Sequence, residues 1–389
     1  MTYDRALHRW PRSRATEQVL SHPTVQSHVP SSPDPLPHPF FRTAREGAVP
    51  LIGPRELSDL LEGPEPPLML DVRPDAERRW VHLPDDRHVP IHLLPRETTV
   101  LPHDRPIVTY DHYGPDARRA AELLRSRRFD SAAALEGGID EYARLVDPSL
   151  PRYREGEGER GLLLQQLPRP DTGCLAYFLG DLVAREAVLI DPGVDTDPYL
   201  EALRGGAWHL TAIVETHTHA DHLAGHSALH LATDAPIYVS HRSPAQYPHR
   251  TLSEGEAIDF GSEELRILET PGHTLDHLTL RVRDSAFVGD TLLIGACGRT
   301  DLGDGSPEML WDSLTGKLMR LPDEVEVYPA HFGPRHLLPA RYVSTIGFER
   351  ATNEALSQPS REAFVRYMSE GWPPKPTGFE RIVRANLEG

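Results

Sequence analysis

Residues 216–222, THTHADH, set three imidazoles and one carboxylate within seven positions, one residue after the apolar run AIV. Imidazole and carboxylate at that density are costly in a protein interior unless they pair or ligate a metal. With 21 histidines in the chain, a chance cluster on the surface is the competing reading. The recurrence of the same local design decides against it. TPGHT (270–274) sets His273 after a Pro-Gly turn, FVGDT (287–291) sets Asp290 after an apolar run and a glycine, and VYPAH (327–331) ends on His331. Strand-end loops that each deliver a ligand type are how a metal site is assembled on a rigid sheet. The candidate ligands are His217, His219, Asp221, His222, His273, Asp290 and His331.

The elements that must position these side chains can be read from apolar periodicity. TAIVET (211–216) reads as a buried strand running straight into the histidine loop. CLAYFLGD (174–181) and EAVLIDPG (186–193) read as neighbouring strands joined by a turn. Upstream, PRELSDLLEG (54–63) reads as a helix with a Gly stop, LMLDVR (68–73) and PIVTYDH (106–112) as strands, PDARRAAELLRSR (115–127) as a helix and LEGGIDEY (135–142) as a turn. Strand, helix and strand recurring at this spacing predict a small α/β domain with a parallel sheet over residues 46–150. Residues 151–161, within the Pro-, Gly- and charge-rich DPSLPRYREGEGERG, read as a linker to a catalytic domain over 162–389. Residues 1–45 are rich in Pro and His, lack an apolar period and read as a loosely ordered arm. Arg5, Arg9, Arg12 and Arg14 in that arm suggest a mitochondrial presequence, which Asp4, Glu17 and the prolines oppose.

A chain of 389 residues is long enough for two domains, each with its own core. The 58 acidic and 41 basic side chains give a formal net charge of −17. That charge repels a phosphate backbone and argues against a nucleic-acid partner. No apolar run is long enough to span a bilayer and no signal-like apolar segment opens the chain, so a soluble, cytoplasmic protein is expected, with no membrane partner. Cys174 and Cys297 are the only cysteines. Two are too few for a disulfide framework, and they form no Cys-x-x-Cys pair.

From about residue 160 onward, the order and spacing of the ligand segments resemble the metallo-β-lactamase superfamily. The resemblance implies an αββα sandwich with the site at one edge of two facing sheets. It also implies one metal position served by His217, His219, His273 and Asp290, and a second served by Asp221, His222, His331 and the shared Asp290. GDTLLIGACGRTDL (289–302) narrows this, being similar to the GDxLLIxxCGRTD segment of the persulfide dioxygenases. That family oxidises glutathione persulfide with O2 and water to sulfite and glutathione on one Fe(II). The iron ligands implied here are His217, His273 and Asp290, a facial triad that leaves open positions for O2 and a persulfide sulfur. The same resemblance makes Arg299, Cys297 and Thr300 candidate substrate contacts and Asp221 a candidate catalytic group. Arg299 has a competing reading as an ion pair with Asp301, and Cys297 one as a small packed residue. The other family with this ligand set is the glyoxalase II-like thioester hydrolases, which use two Zn(II) ions to generate a hydroxide. Those carry an added C-terminal helical domain, for which the 58 residues after His331 (389 − 331) are short.

LMLDVR, the PIVTYDH strand with its loop, and LEGGIDEY together resemble a rhodanese domain. Rhodaneses carry a sulfane sulfur on a loop Cys cradled by backbone N–H groups at a helix start. In the matching loop, YDHYGPDARRA (110–120), Asp111 occupies the Cys position. A carboxylate cannot carry a persulfide, so this domain is expected to lack sulfurtransferase activity and to serve docking or homo-oligomerisation.

Overall fold

The computed structural model describes residues 49–78, 81–147, 150–155, 161–169, 173–331, 342–369, 374–375 and 378–389. The arm read at 1–45 and residues 156–160 of the expected linker lie outside them. The chain divides into two compact units, Met1–Tyr142 and Ala143–Gly389. No helix among the described residues is long and apolar enough to cross a membrane.

The first unit runs β1 (Leu51–Ile52), α1 (Pro54–Leu61), β2 (Leu68–Asp71), α2 (Asp75–Arg78), β3 (Arg87–His88), α3 (Leu94–Glu97), β4 (Ile107–Tyr110), α4 (Pro115–Ser126), β5 (Ala132–Leu135) and α5 (Gly138–Leu145), whose last residues pass into the second unit. Its five strands pair in parallel in the order β1-β5-β4-β2-β3. Strands β2, β4 and β5 are buried at every position, which is what near-continuous apolar runs give in a parallel sheet covered on both faces. The expected α/β domain is therefore present. The segment read as a turn at 135–142 is corrected: it turns only at Glu136 and Gly137, and α5 starts at Gly138. Gly138 has a φ of +64° and lies so close to the loop after β4 that a Cβ would meet His112 O at 2.3 Å. That approach allows Ile139 N–H to donate to Asp111 O at 2.9 Å.

In the second unit β6 (Arg152–Glu155), β7 (Gly161–Arg169), β8 (Cys174–Asp181), β9 (Glu186–Ile190), β10 (His209–Val214), β11 (Ile237–Ser240) and β12 (Arg250–Leu252) form one sheet in the order β12-β11-β10-β9-β8-β7-β6. The other sheet, in chain order, holds β13 (Ala257–Phe260), β14 (Glu263–Glu269), β15 (Leu278–Val282), β16 (Ser285–Gly289), β17 (Glu326–Pro329) and β18 (Ser344–Thr345). The sheets face each other across one core that includes Leu164, Tyr177, Val188 and Val214 from the first and Phe260, Ile267, Leu280, Phe287 and Tyr328 from the second. Period-2 burial explains the placement, since β13 buries Ile258 and Phe260 and exposes Ala257 and Asp259. Helix α6 (Asp197–Gly206) precedes β10, and α7 (His226–Thr233) packs on β10 and β11. The outer face of β16 and β17 is covered by α8 (Pro307–Gly316), α9 (Ile346–Thr352) and α10 (Arg361–Ser369), through Leu310, Leu314, Ile346 and Phe364. These are the four layers expected. α11 (Phe379–Glu388) ends the chain.

Strand β6 lies inside the stretch whose charge and Gly content suggested a linker. Arg152 is only 4% exposed. Its guanidinium donates to both carboxylate oxygens of Glu326, at 3.1 and 3.2 Å, and to the Tyr328 hydroxyl. A charge neutralised so far along the chain lets a polar segment join the sheet.

Candidate metal centre

β10 ends at Val214, and the backbone passes through Glu215 and Thr216 into the histidine loop. Thr216 is fixed by Asp191, just beyond the end of β9: its N–H donates to Oδ1 at 2.7 Å and its hydroxyl to Oδ2 at 2.8 Å. The hydroxyl hydrogen is thereby committed, so the 2.9 Å contact from Thr216 Oγ1 to His217 Nδ1 has the imidazole as donor. His217 Nε2 is left with its lone pair. His273 is set the same way, because Nδ1 donates to the Arg299 carbonyl at 2.6 Å, leaving Nε2 at 3.5 Å from Asp290 Oδ2. One donor atom from each of His217, His273 and Asp290 lies within 4.8 Å of the others, and all three residues are buried. Second partners that fix tautomer and ring orientation are characteristic of metal-binding histidines.

Asp290 is aimed by the end of β16. The pairing of β16 with β17 shifts register between Phe287 and Gly289, and Gly289 takes a φ of +49°. A Cβ there would meet His277 Nε2 at 2.4 Å. With only hydrogen in that space, Asp290 N–H donates to His277 Nε2 at 2.9 Å. Burial, with the charge of His273, holds the His277 imidazole down to a pKa of about 3, so this buried ring stays neutral. Burial alone would raise the Asp290 carboxyl. His331, whose Nδ1 lies 2.9 Å from Oδ1, outweighs it and holds the carboxyl at about 2.

The other loop residues go elsewhere. His219 Nε2 lies 3.2 Å from Asp191 Oδ1 and 3.1 Å from Glu215 Oε2, so that edge of the ring is backed by two buried carboxylates. Asp221 and His222 gather with a residue that the dinuclear pattern does not include. They lie with Cys174, one donor atom of each within 4.8 Å of the others. His222 Nδ1 donates to Asp221 Oδ1 at 2.9 Å and the Cys174 thiol to Asp221 Oδ2 at 2.9 Å, so both oxygens of the expected catalytic carboxylate are engaged. Arg169 Nη2 donates to His222 Nε2 at 3.0 Å. The imidazole lone pair of His222, one of the residues implied for a second metal, is thus held by a cation.

Of the expected substrate contacts, Arg299 forms the ion pair with Asp301, Nε and Nη2 donating at 2.6 and 2.9 Å. Cys297 packs its sulfur 3.6 Å from Met368 Sδ in the core under α10. Thr300 is 8% exposed. Sequence reasoning missed Cys174, Arg169, Asp191 and Glu215, and also Asn386 on α11. The Asn386 amide donates to the carbonyls of His219 and His222 at 3.0 and 2.8 Å and accepts from Ala224 N–H at 2.9 Å, tying the histidine loop to the C-terminal helix. Asp191 and Glu215 had a signal, since LIDPG and AIVET each end an apolar run on a carboxylate as FVGDT does.

In the first unit, Asp111 leads the loop after β4. Its carboxylate accepts from the backbone N–H groups of Gly114, Asp116 (2.7 Å) and Ala117 (3.3 Å) at the start of α4. The backbone cradle at the start of α4 is filled by a side chain of its own loop.

Comparison with known proteins followed the same division. Residues 169–331 match the family model described as the metallo-beta-lactamase superfamily, and residues 53–145 the one described as a rhodanese-like domain. The mitochondrial persulfide dioxygenase ETHE1 of Homo sapiens is 37% identical over 230 residues, covering 58% of this chain and 88% of that protein. A hydroxyacylglutathione hydrolase of Cereibacter sphaeroides is 37% identical over 160 residues, covering 40% of this chain and 61% of the hydrolase. Among solved structures, ETHE1 from Myxococcus xanthus aligns with a TM-score of 0.55 at 34% identity, over 58% of this chain and 97% of that one. A metallo-beta-lactamase from Staphylococcus aureus aligns with a TM-score of 0.55 at 27% identity, over 59% and 73% of the two chains.

Proposed function

Because this chain belongs to the metallo-beta-lactamase superfamily, we propose that its second unit is a non-haem iron persulfide dioxygenase acting on glutathione persulfide or a similar small thiol persulfide. The observation that carries this reading is the convergence of His217, His273 and Asp290 as one buried donor group, with the neighbouring group engaged by Arg169. Two imidazoles and one carboxylate are the donor set of a facial triad, and a single such group suits one Fe(II) rather than a pair of ions. The coverage of relatives points the same way, 88% of the persulfide dioxygenase against 61% of the hydrolase.

The proposed reaction takes persulfide, O2 and water to thiol and sulfite: the terminal sulfur gives up four electrons, O2 receives them, and the S–S bond breaks. Iron, when bound, would supply the open positions and the redox change that bring sulfur and O2 together. The chain supplies the rest. Asp191 and Thr216 orient His217, the Arg299 carbonyl orients His273, and neutral His277 holds the Asp290 backbone. Arg299 is retained as the contact for a substrate carboxylate on the strength of the CGRTD segment, next to its ion pair with Asp301.

The relatives named as hydroxyacylglutathione hydrolases favour a second reading, a thioester hydrolase with two zinc ions. One assay separates the two. Full-length protein given glutathione persulfide should consume O2 and form sulfite, while S-lactoylglutathione should be hydrolysed no faster than in a protein-free control. Rapid thioester hydrolysis without O2 uptake would establish the hydrolase instead.

A further inference from the structure

Cys174, Asp221 and His222 offer a thiol, a carboxylate and an imidazole from the ends of β8 and the histidine loop, all within 4.8 Å. Such a set suits zinc or cobalt. Every member is engaged in a closed chain: Cys174 thiol to Asp221, His222 Nδ1 to Asp221, and Arg169 to His222 Nε2. Since His222 donates from Nδ1, its only lone pair is on Nε2, and that is the atom Arg169 holds. The guanidinium also places a fixed positive charge where a divalent cation would have to sit, and like charges close together are strongly disfavoured away from bulk water. Gly193 makes room for this side chain, because a Cβ there would lie 2.0 Å from Arg169 Nη1 and 2.8 Å from Cδ.

We propose that Arg169 closes a latent second metal site formed by Cys174, Asp221 and His222, and that this one side chain holds the unit to a single metal. The inference rests on the triad reading, because it counts a second ion against a first. Removing the guanidinium frees the His222 lone pair beside the Asp221 carboxylate. A divalent ion then replaces the positive charge and releases the Cys174 proton as it binds. No redox step is involved, and the ligand class is a thiophilic divalent cation.

The test is a Co(II) titration of metal-free full-length protein, followed by absorbance and by bound metal per chain. Arg169→Ala should bind one equivalent more than wild type and gain a near-ultraviolet thiolate-to-cobalt band, and Cys174→Ser in that background should abolish the band. Gly193→Ala keeps the charge but pushes the guanidinium aside, and should show the same extra equivalent. Unchanged stoichiometry in both single variants, each folded by circular dichroism, overturns the inference, as does an extra thiolate-bound equivalent already present in wild type. The wild-type count itself reads the triad separately, since protein that binds no cobalt at His217, His273 and Asp290 contradicts the proposed function while the difference between variants still reports on Arg169.

Discussion

Two loops of this protein leave the ends of sheet strands and reach opposite outcomes. After β4, Asp111 turns its carboxylate onto the N–H groups of its own loop, and the cradle is satisfied internally. After β10, the histidine loop spends its hydrogen bonds on the far sides of its rings and leaves lone pairs converging on Asp290. Both loops sit on intact scaffolds. The contrast teaches that what separates a closed loop from an open one is where the last polar atom is satisfied: within the loop, or by something the loop has yet to bind.

The comparison breaks most completely if the open loop is stripped of a donor. His273→Ala or Asp290→Ala should lower iron retention and persulfide-dependent O2 uptake by more than roughly a hundredfold, since loss of orienting partners alone costs 10–100-fold. Iron per chain and an oxygen electrode read this directly, and near-normal iron in either variant would remove that residue from the centre.

Arg299→Ala keeps the backbone carbonyl that orients His273 and removes only the guanidinium. If that group grips a substrate carboxylate, binding should weaken by about 1.5–3 kcal/mol, a rise in KM of roughly ten- to a hundredfold where KM tracks binding. Iron content should hold, and Arg299→Lys should rescue in part because it offers a point charge without the planar fork. An unaltered KM would leave Arg299 with its structural ion pair to Asp301 alone.

Much of this was legible in the sequence, and what was not has a physical reason. Strand ends are visible as changes of period, so the seven candidate ligands could be picked out of the sequence, while the choice of His217, His273 and Asp290 among them came only from the resemblance to the persulfide dioxygenases. The two-unit plan followed from the same signal. Arg169, Cys174 and Asn386 carried no local mark. Their partners lie 53, 47 and up to 167 residues away, and pairings of that span are set by packing. α5 was hidden by its two glycines, which signal a turn and here also start a helix pressed against the loop of Asp111. β6 was hidden by charge that Glu326 neutralises from the other sheet.

A finer test of the open loop uses its tie to α11. Asn386→Ala removes three hydrogen bonds to the loop backbone. It should loosen metal retention by about tenfold, at the lower end of what supporting contacts contribute. Competition with a chelator of known affinity measures this. Retention equal to wild type would show that the loop holds its shape without the helix.

The smallest effect is expected where the closed loop is opened. Asp111→Ala deprives the N–H groups of Gly114, Asp116 and Ala117 of their acceptor and should destabilise the first unit by about 1–3 kcal/mol, seen as a lower urea midpoint. O2 uptake should not change. Wild-type protein should show no thiosulfate sulfurtransferase activity, and turnover above a heat-killed control would mean that sulfur is carried by some group other than the residue at this position.

The most direct test of the account is the metal itself. Full-length protein purified anaerobically without chelator should contain about one iron per chain, the capacity of a single two-histidine, one-carboxylate group. Two zinc ions per chain with iron absent would contradict both the mononuclear reading and the oxygen chemistry built on it.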